Sequence, residues 1–292
     1  MIQHLADLIK LTRGQKRKKI SVAAAHDKDV LQAVVQAYQK GIADAVLVGK
    51  KYIIETYLEE MDCDPGLFEI VEADTDDQCA AEAVRIVREE KAQFLMKGIL
   101  GTADLMKAVV DKKTGIRGKR LMSHVMFFEV PSYSKVLCLT DGGMCTFPDL
   151  GQKVEILKNA AETLQRLGYD EIYTACICGA EGVNSKIVST TDARDLSAMT
   201  ECWTPYHMKV YGPVGLDMAI SKRSCEHKHY MEQGAGEADI LLVPTYEVGN
   251  GIGKAMIYFG GAKNAGIIVG AQVPIILVSH SDTAESKLTS IA

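Results

Sequence analysis

Short apolar, β-branched runs alternate with stretches of helical periodicity along almost the whole chain. Ile20-Ser21-Val22-Ala23-Ala24 reads as a strand. The segment after it sets Val30, Ala33, Val34, Ala37 and Tyr38 on one helical face, with Gly41 placed as a C-terminal cap. The same alternation predicts strands over 45–48, 68–71 and 94–96, and helices over 53–61 and about 102–111. Between the last two strands Ala80, Ala83, Val84 and Val87 form another helical stripe. The pattern resumes with a strand over 136–139 and a long helix that turns Val154, Leu157, Ala161 and Leu164 inward and ends at Gly168. Further strands fit 172–177, 209–211, 240–243, 267–269 and 275–278, and Ser123-His124 precedes another strand-like run. Near-continuous apolar strands between helices predict parallel sheets covered on both faces. The expected class is α/β, as two α/β domains with mostly parallel sheets flanked by helices and an interdomain cleft. Pro131-Ser132-Tyr133-Ser134 is the best candidate for the boundary.

Composition narrows the class of protein. A chain of 292 residues that is 47% hydrophobic and 24% charged can bury a large core, which excludes disorder. A net charge of −5 gives no footprint for duplex nucleic acid. The most apolar stretch, 267–278, is interrupted by Gln272 and Pro274 and reads as two buried strands rather than a membrane span. Eight scattered cysteines without a CxxC pair read as reduced thiols, and the expected location is the cytoplasm.

Ligands of open parallel sheets bind beyond the carboxyl ends of the strands, so the segments after Met96, Leu139, Ile177, Tyr211, Val243 and Val278 are where chemistry is sought. Lys97-Gly98-Ile99-Leu100-Gly101-Thr102 follows a strand and opens a helix: the glycines admit an anion close to the backbone, Lys97 supplies charge and Thr102 can cap. Its plainer reading is an ordinary strand-to-helix turn. Gly249-Asn250-Gly251-Ile252-Gly253-Lys254 reads as a glycine-rich loop that matches neither the Walker nor the dinucleotide spacing. Asp141-Gly142-Gly143 reads as an active-site turn, and Cys145 beside it as an inert thiol for want of a base. Cys225, His227 and His229 alternate as metal ligands might, but fit a solvated loop better, so no metal is expected. Ser279-His280-Ser281-Asp282-Thr283-Ala284-Glu285 is dense in titratable and hydroxyl groups; its plain reading is a helix start capped by Asp282 or Thr283.

Taken in order and spacing, these segments resemble phosphate butyryltransferase and, more distantly, phosphate acetyltransferase. The resemblance is carried by Met96-Lys97-Gly98, Ser123-His124-Val125, Leu139-Thr140-Asp141, Ser189-Thr190-Thr191-Asp192-Ala193 and Gly212-Pro213-Val214. It continues through Gly236-Glu237-Ala238-Asp239, Gly249-Asn250, Lys263-Asn264-Ala265-Gly266 and the Ser279 segment, so it spans nearly the whole chain. It implies reversible acyl transfer between coenzyme A and inorganic phosphate, with coenzyme A as substrate and no tightly bound cofactor. It also implies a homo-oligomer, dimer or higher, with no membrane or nucleic-acid partner. The first domain, 1–131, would be completed by 271–292, leaving 132–270 as the second. By resemblance Ser279 hydrogen-bonds the reacting centre and either Asp282 or Glu285 acts as base toward the thiol. Lys97, Gly98, Thr102, Ser123, His124, Thr140, Asp141, Gly249, Asn250 and Lys254 would line the substrate cleft. Relatives carry arginine directly after the loop serine, where this chain has His280, a poorer fixed donor for phosphate. That departure sustains a second reading, a relative that binds coenzyme A or acyl phosphate as a sensor.

Overall fold

A computed structural model of the chain describes residues 2–277 and 282–292. Its strands, in chain order, are β1 (Lys18–Ala23), β2 (Ala43–Gly49), β3 (Glu69–Glu72), β4 (Phe94–Lys97), β5 (Ser123–Glu129) and β6 (Val136–Thr140). They continue as β7 (Ile172–Ile177), β8 (Met208–Val214), β9 (Ile240–Leu242), β10 (Lys263–Val269) and β11 (Ile275–Ile276). The chain divides into two compact units, a first of Ala6–Arg120 with Ala265–Ala292 and a second of Met1–Leu5 with Leu121–Asn264.

In the first unit the strand order is β3-β2-β1-β4-β11-β10, parallel except for the β10–β11 pair. One face of the sheet meets the helices Lys28–Gln39 and Ala284–Ile291: Ile20, Val22, Leu47, Met96 and Ile276 share a core with Val30, Leu31, Val34, Leu288 and Ile291. The helix Asp76–Arg88 buries Cys79, Ala80, Ala83, Val84 and Val87. Each fully buried aliphatic side chain contributes about 1.5–3 kcal/mol relative to exposure. Local chemistry sets where helices begin. Asp27 accepts from the N–H of Val30 at 2.9 Å, and Thr75 and Gln78 form a reciprocal capping box.

In the second unit the order is β5-β6-β9-β7-β8, parallel except for the β5–β6 hairpin. Leu137, Ala175, Ile177, Tyr211, Val214 and Leu241 form one core cluster, and Phe128, Leu139, Val243 and Ala262 another. The helix Leu150–Arg166 opens with a second capping box, Asp149 with Gln152, and buries Ile156, Leu157, Ala160, Ala161 and Leu164.

The units part between Leu5 and Ala6, and the two later crossings lie between Arg120 and Leu121 and between Asn264 and Ala265 rather than at 131 and 270. Pairing explains both shifts. The turn at 131–134 lies inside the β5–β6 hairpin, where Met126 through Glu129 oppose Leu139 through Val136. At the other crossing Ile267 and Ile268 of β10 pair with β11, which ties them to the first unit. Among the described residues no helix is long and apolar enough to cross a membrane. All eight cysteines are free thiols.

Candidate active site

In the first unit the end of β4 packs tightly against the end of β1. The Gly98 and Ile99 N–H groups donate to Ala23 O at 2.8 Å and Ala24 O at 3.0 Å. A Cβ on Gly98 would stand 2.1 Å from Ala24 O and 2.5 Å from Ala23 O, so only glycine fits this approach. Lys97, the last residue of β4, is 2% exposed. Its ammonium donates to Gly98 O at 3.1 Å and Leu100 O at 3.0 Å, folding the turn around itself. Burial, then repulsion from the Lys287 ammonium, brings Lys97 down to about 8, against the opposing pull of Asp27, Asp282 and Asp76.

Thr102 does not cap the helix that follows. It is the first helical residue of Thr102–Val110 and is exposed, while Gly101 holds the cap position without a side-chain bond. The C-terminal helix is capped by Thr283, whose hydroxyl accepts from the N–H of Ser286 at 3.2 Å. Asp282, just before the cap, is half-buried and Glu285 is exposed. Ser279 and His280 lie outside the described residues. Lys287, which pattern reading passes over, is 3% exposed and donates to the carbonyl of Asp282. Its signal in the sequence was a lysine set within the buried stripe of Leu288 and Ile291.

In the second unit the candidates converge on Asp141. Ser123 and His124 are the first residues of β5 itself, not of a loop before it, and Thr140 ends β6. The Thr140 hydroxyl donates to His124 O at 2.8 Å. One Asp141 carboxylate oxygen accepts from the His124 N–H at 3.0 Å. The other accepts from the Gly143 and Met144 N–H groups at 2.8 and 2.7 Å. The Asp141 carboxylate thus organises its own turn. The His124 imidazole lies over Gly143, where a Cβ would come 2.0 Å from Nδ1. Asn159, a second residue that pattern reading missed, donates from Nδ2 to the Ser123 hydroxyl at 2.8 Å and to Leu121 O at 2.9 Å. Its helical position carries no local mark of that role.

The glycine-rich segment 249–254 is helix rather than loop. It forms the second and third turns of the helix Tyr246–Tyr258. Two of its three glycines serve packing, while a Cβ on Gly251 would meet open space. A Cβ on Gly249 would meet the Gly142 Cα at 2.6 Å and the Val243 Cγ2 at 2.7 Å, and one on Gly253 would meet the Phe128 ring at 3.1 Å. Gly249 therefore brings this helix onto the Asp141 turn, with Asn250 half-buried beside it and Lys254 exposed to solvent. Cys225 and His227 are likewise helical, in Lys222–His227, and the buried Cys225 thiol donates to Met218 O at 3.1 Å. No group of three His, Cys, Asp or Glu among the described residues could hold a metal ion. Burial first, then the Asp141 carboxylate, pushes the Cys145 thiol up to about 12.

The sequence matches the phosphate acetyl/butaryl transferase family over residues 3–88 and 77–292. The chain belongs to this family. It is 37% identical to the phosphate butyryltransferase of Clostridium acetobutylicum over 292 residues, covering 100% of this chain and 97% of that protein. It is 33% identical to the phosphate acetyltransferase of Thermotoga maritima over 99% of its own length and 97% of the relative's. A solved branched-chain phosphotransacylase from Enterococcus faecalis superposes with a TM-score of 0.80 at 32% identity, covering 94% of this chain and 96% of that one. A phosphotransacetylase from Streptococcus pyogenes, at 17% identity and a TM-score of 0.82 over 100% of this chain and 97% of that one, shares the fold. The protein is an acyltransferase of the phosphotransacylase family.

Proposed function

We propose that this protein reversibly converts a short-chain acyl-CoA and inorganic phosphate into an acyl phosphate and free coenzyme A, by direct transfer with both substrates bound. The observation that carries this reading is the match to a phosphate butyryltransferase and a phosphate acetyltransferase over at least 99% of this chain and 97% of each relative. The same match favours a transferase over a binding-only sensor. Coenzyme A is then a substrate, and the working form a homo-oligomer.

In the forward direction a phosphate oxygen attacks the thioester carbonyl, the C–O bond forms and the carbonyl oxygen takes up negative charge. Collapse of that centre breaks the C–S bond, and the departing sulfur takes up the proton that the hydrogen phosphate gives up, so that coenzyme A leaves as a thiol. In the reverse direction the thiol must lose its proton, and the carboxylate of Asp282 or Glu285 takes it. Ser279 hydrogen-bonds the reacting centre. Lys97 and the close-packed turn at Gly98 supply positive charge for phosphate, as a small anion needs. His124 and the Asp141 turn, with Gly249 against it, supply a fixed surface for the acyl thioester. Because direct transfer is chiefly positioning catalysis, fixed turns matter more than any covalent group.

The test is phosphate-dependent release of free thiol from butyryl-CoA and acetyl-CoA, with arsenate as an alternative acceptor. Release should require the oxyanion and be absent without it. Coenzyme A binding with no release from any short acyl-CoA would overturn the reading.

A further inference from the structure

Within the second unit two ionisable side chains are buried against each other away from the Asp141 turn. Lys153 is 4% exposed and Asp192 8%, and the Lys153 ammonium donates to Asp192 Oδ2 at 2.6 Å. Asp192 comes from the Ser189-Thr190-Thr191-Asp192-Ala193 run, which braces the segment after β7. The Thr190 hydroxyl donates to Ile187 O at 2.8 Å and accepts from the Asn184 N–H at 2.9 Å, and the Cys178 thiol donates to Ser189 O at 3.2 Å. Lys153 lies in the first turn of the helix Leu150–Arg166. The dipole there repels a cation, and Asp192 offsets that repulsion.

The pair is coupled to the Asp141 turn by two routes. Lys153 and Asp192 line one small cavity with Val243 and Pro244, just beyond β9. The Val243 N–H donates to Thr140 O at 2.9 Å. A Cβ on Gly249 would stand 2.7 Å from Val243 Cγ2 and 2.6 Å from Gly142 Cα, so Val243 lies between the pair and the contact that seats the Gly249 helix on the turn. The second route is the helix of Lys153 itself. Its Asp149 cap closes the segment that Asp141 opens, and its Asn159 holds the Ser123 hydroxyl at 2.8 Å. Energy alone does not account for such a pair, because desolvation consumes most of its attraction and apolar side chains stabilise about as well. What the pair adds is direction: a charge-assisted hydrogen bond sets how two helices stand to each other, which apolar contact leaves looser.

We propose that Lys153 and Asp192 are positioning residues for acyl transfer, their bond fixing the Asp141 turn and the start of the Gly249 helix where the acyl thioester is held. This rests on the transferase reading above. The double variant Lys153→Met with Asp192→Val replaces the pair by apolar side chains and should melt close to wild type. In thiol release from butyryl-CoA its kcat should fall about tenfold or more, while the KM values for phosphate and butyryl-CoA each move less than about twofold. Amide hydrogen exchange, which needs no substrate, should quicken about tenfold at Gly143 and Met144, whose N–H groups bond Asp141, and stay unchanged in β1. If the double variant does not fold, Asp192→Glu keeps both charges and lengthens one side chain by a methylene. Its kcat should fall about threefold or more at unchanged KM. An unchanged kcat in a folded variant overturns the proposal, as does exchange that quickens equally in both units. Failure of both variants to fold overturns it too, since the pair is then a structural tie. Wild-type protein that releases no thiol with phosphate marks a different failure, that of the transferase reading, and the exchange measurement then decides the proposal.

Discussion

At the end of β6 one carboxylate gathers three backbone N–H groups, whereas at the end of β4 one ammonium gathers two backbone carbonyls. Lys287 repeats the second arrangement on the carbonyl of Asp282. Both devices satisfy the polar backbone that a strand exposes where its ladder stops, which would otherwise be buried unpaired. They differ in what they leave behind. Three N–H dipoles pointed at Asp141 hold its turn in shape, and the charge that remains still opposes ionisation of the Cys145 thiol. Carbonyls pointed at Lys97 hold an amine whose grip on its proton is weakened first by burial and then by Lys287. The first unit therefore keeps a buried amine at a strand end, while the second keeps a turn braced by its own carboxylate.

The sharpest way to break the comparison is to add one methyl group to each turn. On Gly98 it collides with two backbone carbonyls, which cannot move without parting β1 from β4. Gly98→Ala should cost about 3 kcal/mol or more, the upper range for overpacking, and lower the melting temperature by roughly 10 °C. On Gly143 the collision is with the His124 ring, a side chain that can turn away. Gly143→Ala should cost about 1–2 kcal/mol yet reduce turnover about tenfold or more, because the ring leaves its place. Thermal melts beside thiol-release rates would decide it. Equal destabilisation by the two variants would show that the second turn is no more adaptable than the first.

How far the chain could be read in advance follows the same divide between local and distant causes. β7 runs from Ile172 to Ile177 as its apolar run predicts, since such a strand needs no partner to be recognised. β5 is harder, because it opens on Ser123 and His124, polar residues made burial-compatible by Asn159, Thr140 and Asp141 from elsewhere in the chain. The stretch 249–254 misleads for a similar reason. Three glycines argue against helix by propensity, but the close approach of Gly142 and Phe128 demands two of them, Gly249 and Gly253, on a helix face. Local pattern located Lys97, Gly98 and Asp141 at strand ends. It could not reveal that Asp141 turns its carboxylate onto its own backbone, or that Lys153 pairs with Asp192, because both facts arise from tertiary folding.

A smaller effect tests the charge side of the comparison. The folded pKa of Lys97, about 8, lies below its ordinary 10.5. Below both values the amine is charged in either state, and the folded protein bears the full cost of burying that charge. Between them the unfolded chain holds more protons than the folded one, so stability rises with pH, with a slope of at most about 1.4 kcal/mol per unit. Denaturant melts in phosphate-free buffer should show wild-type protein gaining on Lys97→Met as pH climbs from about 8 toward 10. Parallel curves would mean that Lys97 carries no buried charge, and the contrast with Asp141 would lose its electrostatic half.

Cys145 offers the finest discrimination, since it lies at the edge of the Asp141 turn and could turn a positioning site into a covalent one. Its thiol is pushed to about 12, first by burial and then by the Asp141 carboxylate, so almost none is thiolate near neutrality. Its bond to Met122 O, at 3.6 Å from sulfur, is weak. Cys145→Ala should therefore cost less than about 1 kcal/mol and change turnover by less than about twofold. The alkylating agent iodoacetamide should likewise inactivate wild-type protein slowly at neutral pH. A folded alanine variant with tenfold lower turnover would show sulfur entering the reaction. The carboxylate that fixes this turn would then have to share it with a nucleophile whose ionisation it opposes.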